Sequence, residues 1–293
     1  MNNATLIDSL EEIVESFDVV VLDQFGVLHN GSVCYPSARE AMRMLHARGK
    51  EIFILSNSGK RADLNLQRVE KMGLPGENIS QVVTSGEALW QDVNESRLQV
   101  AGQVPNRFFP ICGHPDDPYV WASGSKVEIA DKVDPSCDAI LLMGLTDDTG
   151  ETKYDAKFQQ ALELKIPLIC SNPDKTSPRA DRFVMSPGAL ADRYAEMGGG
   201  VIWYGKPHAP VFQAVMRCRP ELAPNRFLMV GDSLEHDIAG GQKVGFQTAF
   251  VRGGIHARDF PDGIENNQIT ATLRSLAEQH RIQPPNFSLN LLA

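Results

Sequence analysis

The stretch Asp18-Val-Val-Val-Leu-Asp-Gln-Phe-Gly-Val-Leu-His29 decides the fold of this chain. Four apolar residues, Val19 to Leu22, follow one another without a polar break, which is typical of a strand buried on both faces of a parallel sheet. A carboxylate, Asp23, ends the apolar run, and Gly26 lets the backbone turn three residues later. Ligands of open α/β sheets bind beyond the carboxyl ends of the strands, so Asp23 stands where chemistry is expected. Taken alone, it could equally be a cap or turn residue.

Apolar runs and helical patterns alternate on both sides of this stretch. Strands are predicted at 19–22, 51–55, 82–84, 201–204, 227–230 and 248–251, the last of these closing the series. Helices are predicted at 4–17, 37–48, 61–72, 85–94, 189–197 and 209–217. This alternation predicts an α/β fold with a doubly wound, Rossmann-like parallel sheet.

The middle of the chain predicts a second domain. Residues 97–138 are rich in proline and glycine, and strands at 139–143 and 166–170 flank a predicted helix at 154–164. Roughly 150 residues separate Ser56 from Lys206, and one strand–helix step uses only about 40 of them, so the remainder is domain-sized. We therefore predict a core domain, 1–97 and 187–293, with an inserted α/β domain at 98–186.

The composition limits the classes of function. The net charge of −9 argues against a nucleic-acid surface, which needs a basic patch. No apolar run approaches the roughly 18 residues of a membrane span. The acidic first 15 residues do not resemble a secretory leader. Five widely spaced cysteines form no CxxC pair, which favours reduced thiols and a cytoplasmic location.

Four stretches each place a functional group after a predicted strand. Asp23 supplies a carboxylate, Ser56 a hydroxyl and Lys206 a cation, and a carboxylate pair follows strand 227–230 as Asp232 and Asp237. Any one of them could be a turn or surface residue, but together they supply a nucleophile, anion-holding groups and a hard-cation site. Phosphoryl transfer needs this set, because its catalysis is mostly positioning and neutralisation of charge. Mg²⁺ suits the oxygen ligands.

The chain resembles the haloacid dehalogenase-like (HAD) hydrolases, and most of all their class IIA group of nitrophenyl-phosphatase-like enzymes. The similarity extends from the first strand to about residue 255. The matching motifs are Asp23-Gln-Phe-Gly-Val-Leu28, Ser56-Asn57-Ser58, Gly205-Lys206-Pro207 and Gly231-Asp-Ser-Leu-Glu-His-Asp237.

The resemblance implies a role for each motif residue. Asp23 would attack phosphorus and form an aspartyl-phosphate, while Ser56 and Lys206 would hold phosphoryl oxygens. The inserted domain would be a cap that closes over the site and selects a small phosphorylated metabolite. Its loop Ser171-Asn172-Pro173-Asp174 resembles the family's cap loop that faces the phosphate. The implied phosphate-binding residues are Ser56, Asn57, Lys206, Asn172 and Asp174. The implied Mg²⁺ ligands are Asp23, the carbonyl of Phe25 and Asp232, supported by Asp237.

Phe25 departs from the family pattern. The family's phosphatases carry a second aspartate here, which protonates the leaving group and then activates water. Phenylalanine can do neither, and general acid–base help contributes roughly 10²–10⁴-fold to rate. His29 or a cap residue such as Asp174 could replace the acid, the leaving group could need no acid, or the protein could bind a phosphorylated ligand with little turnover.

Two other classes share part of this pattern. Dehalogenases of the superfamily carry an aromatic residue at the position of Phe25 and use no metal, but their insert lies nearer the first motif. Receiver-type signalling domains share the Asp, Ser/Thr and Lys set, but their acidic pair lies early in the chain and they have no cap. The substrate and the assembly, including a homodimer, stay open at this stage.

Overall fold

The computed structural model describes residues 3–178 and 182–293. Its strands are β1 (Thr5–Leu6), β2 (Val19–Leu22), β3 (Glu51–Ser56), β4 (Gln81–Thr84), β5 (Arg107–Ile111), β6 (Glu128–Ile129), β7 (Ala139–Leu142), β8 (Leu168–Cys170), β9 (Thr176–Pro178), β10 (Phe183–Met185), β11 (Val201–Trp203), β12 (Phe227–Gly231), β13 (Gln247–Val251) and β14 (Phe287–Leu289). Its α-helices are α1 (Pro36–Ala47), α2 (Ala62–Lys71), α3 (Ser85–Asn94), α4 (Asp117–Ala122), α5 (Asp155–Glu163), α6 (Pro187–Glu196), α7 (Ala209–Arg217), α8 (Ala239–Lys243) and α9 (Asn266–Gln279).

The chain divides into two compact units. Unit 1 consists of Met1–Ser56, Asp63–Val83 and Phe212–Ala293, and unit 2 consists of Asn57–Ala62 and Thr84–Val211. Within the described residues, no helix combines the length and apolar character needed to cross a membrane.

Unit 1 is built on a seven-stranded sheet with the strand order β1-β14-β13-β12-β2-β3-β4. Strand β2 lies inside the sheet, where it pairs in parallel with β12 on one side and with β3 on the other. All four residues of β2 are fully buried, as its unbroken apolar sequence predicts. Helix α9 packs against one side of this unit through Ile269 and Leu273, in a core cluster with Phe250 and Leu234. The predicted α/β fold with a parallel core sheet is confirmed.

Unit 2 has its own five-stranded sheet, in the order β11-β8-β7-β5-β6, in which these neighbours pair in parallel. Helices α5 and α6 cover it through Phe158 and Tyr194, whose rings are 5.0 Å apart. Tyr194 donates a hydrogen bond to the carbonyl of Ile166 at 2.5 Å, which satisfies its buried hydroxyl. This unit therefore has an independent apolar core.

The borders between the two units differ from the predicted domain borders at 97/98 and 186/187. Unit 2 contains the whole predicted insert, 98–186, and adds to it the segment Asn57–Ala62 and the elements α3, α6 and β11. Strand β11 belongs here because it pairs with β8. Helix α3 belongs here because the buried indole of Trp121 donates to the carbonyl of Gly86 at 2.7 Å. Neither pairing leaves a sign in the local sequence.

The ends of the chain differ from the prediction. The predicted helix at 4–17 is wrong, because β1 comes first and a 3₁₀ helix, Leu10–Ser16, follows it with a Ser9–Glu12 capping box. Strand 248–251 is not the last, since β14 pairs in parallel with both β1 and β13. Helix α9 was not predicted either. The two short terminal strands are defined by partners at the other end of the chain, which local periodicity cannot report.

Candidate functional site

Three strand ends in unit 1 bring polar side chains to one edge of the sheet. Leu22 of β2 is in register with Val230 of β12, and the next residue, Asp23, donates its backbone N–H to the carbonyl of Val230 at 2.9 Å. Asp232 follows the end of β12 directly, and Ser56 is the last residue of β3. Because these parallel strands are neighbours, their carboxyl ends lie side by side.

The carboxylates of Asp23, Asp232 and Asp237 form a cluster in which one oxygen of each lies within 4.8 Å of the others. Asp232 and Asp237 are 3% and 1% exposed, whereas Asp23 is half-buried. Collecting three carboxylates in a buried place is costly unless positive charge or hydrogen-bond donors offset it. We call these three residues the carboxylate edge.

Backbone groups hold Asp232 in the carboxylate edge. Its Oδ2 accepts a hydrogen bond from the backbone N–H of Ile255 at 2.9 Å. Gly26 packs so closely on the same oxygen that a Cβ there would overlap it, and the φ of +82° at Gly26 also favours glycine. The glycine that follows Phe25 in the motif is therefore required both by its turn and by the carboxylate beside it.

Asp237 is held in a similar way by a tight turn. It lies in a single π-helical turn, Leu234–Ile238, that begins just after β12. Its Oδ2 accepts the backbone N–H of Ser233 at 3.1 Å, and its own N–H donates to the carbonyl of Ser233 at 3.0 Å. This turn explains why the second aspartate stands five residues after the first.

The chemistry of this donor set fits a divalent cation. Hard cations such as Mg²⁺ take carboxylate and carbonyl oxygens, and the carboxylate edge offers three carboxylates from two adjacent strand ends. Asp23, Asp232 and Asp237 would hold the ion. A bound cation would also offset the repulsion between the clustered carboxylates.

Phe25 and His29 lie in the loop after β2. The Phe25 side chain is 38% exposed and meets the His29 ring edge-on at a centroid distance of 6.3 Å. His29 is buried, and its Nδ1 accepts the backbone N–H of Gly31 at 3.0 Å, so a neutral ring carries its proton on Nε2. Among the described residues, Nε2 has no hydrogen-bond partner.

Burial lowers the pKa of the His29 imidazole, and Arg68 lowers it further, while Asp23 acts in the opposite direction. The imidazole is therefore neutral near neutral pH. A buried, neutral ring that already accepts a backbone N–H is a poor general acid, which weighs against His29 as the replacement for the missing aspartate.

The remaining predicted residues belong to unit 2. The Asn57 side chain binds the backbone of Lys206 and the carboxylate of Asp174. Asn172 accepts the backbone N–H of Asp174 through its Oδ1 at 3.1 Å, which makes it a turn-forming residue. Lys206 is only 3% exposed, and Asp174 is half-buried. Unit 2 thus brings together Asn57, Asn172, Asp174 and Lys206, and unit 1 brings together Asp23, Ser56, Asp232 and Asp237.

Some contacts of the site were not predicted from the sequence. Gln24 donates a buried hydrogen bond from Nε2 to Oδ1 of Asn65 at 2.6 Å, which ties the loop after Asp23 to α2. The backbone N–H of Ile255 at Asp232 is another case. Neither is marked by a motif, although the Gly253-Gly254 pair before Ile255 signals a close backbone approach.

Comparison with known proteins agrees with this architecture. A family model described as haloacid dehalogenase-like hydrolase matches residues 20–107, and a second, HAD-hydrolase-like, matches 203–278. Chronophin from Rattus norvegicus is 26% identical over 84% of this chain and 80% of its own. A 4-nitrophenylphosphatase from Schizosaccharomyces pombe is 25% identical over 78% and 80%.

Solved structures share the fold over the whole length. A haloacid dehalogenase-like hydrolase from Brucella suis superposes with a TM-score of 0.78 and 26% identity, covering 98% of this chain and 100% of that one. The matched segments contain the carboxylate edge as well as Ser56, Asn57 and Lys206. The chain therefore belongs to the haloacid dehalogenase-like hydrolase family.

Proposed function

We propose that this protein is a Mg²⁺-dependent phosphatase that hydrolyses a small phosphorylated metabolite through an aspartyl-phosphate on Asp23. The observation that carries the proposal is the carboxylate edge, where Asp23 stands with Asp232 and Asp237 at the ends of two adjacent strands. Family membership supports the reaction class. The five cysteines are all free thiols, which supports a location in the reducing cytoplasm.

The chemistry would proceed in two displacements. A carboxylate oxygen of Asp23 attacks phosphorus, and the bond from phosphorus to the ester oxygen breaks as the leaving group departs with its electron pair. Water then attacks the phosphorus of the aspartyl-phosphate, releasing inorganic phosphate and restoring the carboxylate.

Ser56 and Lys206 would hold the phosphoryl oxygens, and the ammonium of Lys206 would offset their charge. Mg²⁺, when bound, would supply further positive charge for the same oxygens.

Phe25 determines which leaving groups this site can release. Its ring cannot donate a proton to a departing alkoxide, and it cannot activate the water of the second displacement. A phenolate or carboxylate is a stable anion and needs little protonation, whereas an alkoxide is strongly basic and needs a proton. We therefore infer slow hydrolysis of aryl and acyl phosphates and little hydrolysis of sugar phosphates.

Phe25 also favours one other candidate function. Without an acid–base residue, the protein could bind a phosphorylated ligand and release it almost unchanged, in which case phosphate recognition rather than turnover would be its role. This alternative shares the same ligand chemistry, so turnover distinguishes the two. A dehalogenase-like reaction has less support, because it leaves the Asp232–Asp237 pair without a function.

The test is a series of phosphate esters whose leaving groups span a wide range of acidity, from 4-nitrophenyl phosphate to glycerol 3-phosphate, with and without Mg²⁺. The proposal expects Mg²⁺-dependent turnover that falls steeply as the leaving group becomes more basic. Rapid hydrolysis of glycerol 3-phosphate would show that another group already supplies the proton. Binding of phosphate without turnover of any ester would favour the alternative.

Two variants at position 25 make the test specific. Phe25→Asp should raise turnover of alkyl phosphates by up to about 10²-fold, since it restores an acid–base group. Phe25→Asn introduces a side chain of the same size as aspartate that cannot transfer a proton, so it should not raise turnover of alkyl phosphates. Because Phe25 is 38% exposed, its replacement should cost less than the roughly 3–5 kcal/mol of a buried phenylalanine. Equal rates for the two variants would contradict the role given to the missing acid.

A further inference from the structure

The side chain of Asn57 is fully committed to hydrogen bonds inside unit 2. Its Oδ1 accepts the backbone N–H of Lys206 at 2.7 Å. Its Nδ2 donates to Oδ1 of Asp174 at 2.7 Å and to the carbonyl of Lys206 at 3.4 Å. An amide nitrogen has two hydrogens, and both are directed to protein acceptors. With only 8% of Asn57 exposed, its amide has no donor left for a substrate.

These bonds connect segments that are remote in the sequence. Asp174 and Lys206 lie 117 and 149 residues from Asn57 along the chain. The neighbour of Lys206, Gly205, has a φ of +99°, and a Cβ on it would lie 2.9 Å from Oδ1 of Asn57 and 2.6 Å from Oγ of Ser85. Only glycine lets the backbone before Lys206 come this close to the amide. We call Asn57, Asp174, Gly205 and Lys206 the amide junction.

We propose that Asn57 is a positioning residue: its amide fixes the backbone of Lys206 and the carboxylate of Asp174, so that the Lys206 ammonium is held ready for a phosphoryl group. The inference rests on the proposed function, which gives Lys206 its role toward phosphate. It replaces the expectation that the Asn57 side chain binds phosphate itself.

The physical reason lies in the lysine side chain. A lysine has a flexible four-carbon stem, and ordering it costs conformational entropy whenever it must hold an anion. Fixing its backbone on both sides of the Cα, through the N–H and the C=O, removes part of that freedom before the ligand arrives. Asn57 makes both of these bonds with one amide.

The inference can be tested by exchanging the side chains of Asn57 and Asp174. Calorimetric titrations of the full chain with inorganic phosphate measure the affinity of each variant. Asn57→Asp keeps the acceptor for the Lys206 N–H but places two carboxylates where a donor and an acceptor stand 2.7 Å apart. We expect it to weaken phosphate binding by at least about tenfold. Asp174→Asn alone keeps an acceptor oxygen for Asn57 and should cost only a few-fold.

The decisive variant is the double exchange Asn57→Asp with Asp174→Asn. It restores a donor opposite an acceptor with their positions reversed, so the positioning role predicts an affinity within about threefold of the wild type. If the Asn57 side chain instead contacted phosphate directly, the carboxylate at position 57 would still repel it. A double variant that binds no better than Asn57→Asp would therefore overturn the inference.

A second measurement does not depend on ligand affinity. Hydrogen exchange at the backbone amide of Lys206 should be accelerated by Asn57→Ala, which removes its acceptor, but not by Asn57→Asp, which keeps it. Unchanged exchange in Asn57→Ala would also overturn the inference. Asn78→Asp is the matched control, because Asn78 is equally buried at 8% exposure and lies outside the predicted site; its phosphate affinity should equal that of the wild type.

The wild type tests the proposed function, whereas the double exchange tests the positioning role of Asn57. A wild type that binds no inorganic phosphate and hydrolyses no ester would remove the proposed function. A wild type that binds phosphate, together with a double exchange that recovers nothing, would remove the positioning role of Asn57 alone.

Discussion

The carboxylate edge of unit 1 and the amide junction of unit 2 hold their functional groups by different means. At the carboxylate edge, Asp232 and Asp237 accept hydrogen bonds from the backbone N–H groups of Ile255 and Ser233. At the amide junction, one side chain holds both Lys206 and Asp174. The two backbone hydrogen bonds cannot be removed by changing a donor side chain, whereas the hydrogen bonds of the amide junction are made by the side chain of Asn57.

This difference determines which substitutions can remove the hydrogen bonds of each region. A backbone N–H is present whatever the side chain, so the hydrogen bonds from Ile255 and Ser233 persist when those side chains are substituted. A side-chain donor is lost with its residue, so the amide junction can be broken at one position. The following predictions substitute residues of the carboxylate edge and compare them with substitutions at three positions remote from it.

Removing the nucleophile should have the largest effect. Asp23→Asn should lower kcat on 4-nitrophenyl phosphate by about 10³-fold or more, because an amide cannot attack phosphorus. Asp18→Asn, at the other end of the same strand, is the control and should keep wild-type kcat. Turnover assays with Mg²⁺ measure both, and an active Asp23→Asn would place the nucleophile elsewhere.

Crowding the carboxylate edge should have the next largest effect. Gly26→Ala and Gly263→Ala both force alanine into a left-handed backbone, with φ of +82° and +78°, at about 1–2 kcal/mol each. Only the alanine at position 26 would overlap Oδ2 of Asp232, since no atom lies within 4 Å of a Cβ at Gly263. Gly26→Ala should therefore lower the free energy of unfolding by roughly 1–3 kcal/mol more.

Urea unfolding of the two glycine variants measures the difference. Equal losses of stability would mean that the Asp232 carboxylate moves away from an alanine at position 26 at no cost in free energy. Close packing of Gly26 on Asp232 would then not be needed for the carboxylate edge.

Weakening the carboxylate edge should have a graded effect on metal affinity. Asp232→Ala should abolish Mg²⁺ binding in calorimetric titrations, whereas Asp237→Asn should weaken it by about 10–100-fold, as expected for a supporting residue. Asp92→Asn removes a buried carboxylate of unit 2, at 6% exposure, and should leave metal affinity unchanged. Undiminished Mg²⁺ binding by Asp232→Ala would move the metal site to other ligands.

The smallest effect is expected at the amino ends of β2 and β12, where Asp18 and Arg226 form an ion pair. Arg226 donates to both carboxylate oxygens of Asp18 at 2.6 and 2.7 Å, and these hydrogen bonds lower the pKa of the Asp18 carboxyl. A lowered pKa in the folded state stabilises the protein above the unfolded value of about 3.9, and this stabilisation is lost as the pH falls through the folded pKa.

The side chains of Asp18 and Arg226 are both over one-third exposed, so solvent screens their attraction. Asp18→Asn should therefore lower the free energy of unfolding by less than about 1 kcal/mol at pH 7. The difference from wild type should shrink as the pH falls below about 3.9. Urea unfolding at several pH values measures it. A cost that does not change with pH would mean that packing, rather than charge, holds Asp18.

Much of the fold was accessible from local patterns. The predicted helices at 85–94 and 209–217 match α3 and α7, and the predicted strand at 19–22 matches β2. These segments were predictable because apolar periodicity reports how a segment is buried. Four of the missed elements, the strands β1, β9, β10 and β14, have two or three residues and gain their conformation from their partners. Helix α9 was missed as well, although it has 14 residues.

By itself, the sequence determined the buried apolar strands, the residue types at their ends and the five-residue spacing of Asp232 and Asp237, because each of these is a property of one local segment. Tertiary structure alone decided that Ile255 donates to Asp232, that β11 joins the sheet of unit 2, and that the side chain of Asn57 binds Lys206 and Asp174. Each of these contacts joins segments more than twenty residues apart. Which distant segments meet depends on how the whole chain packs, and a local pattern carries no record of its partner.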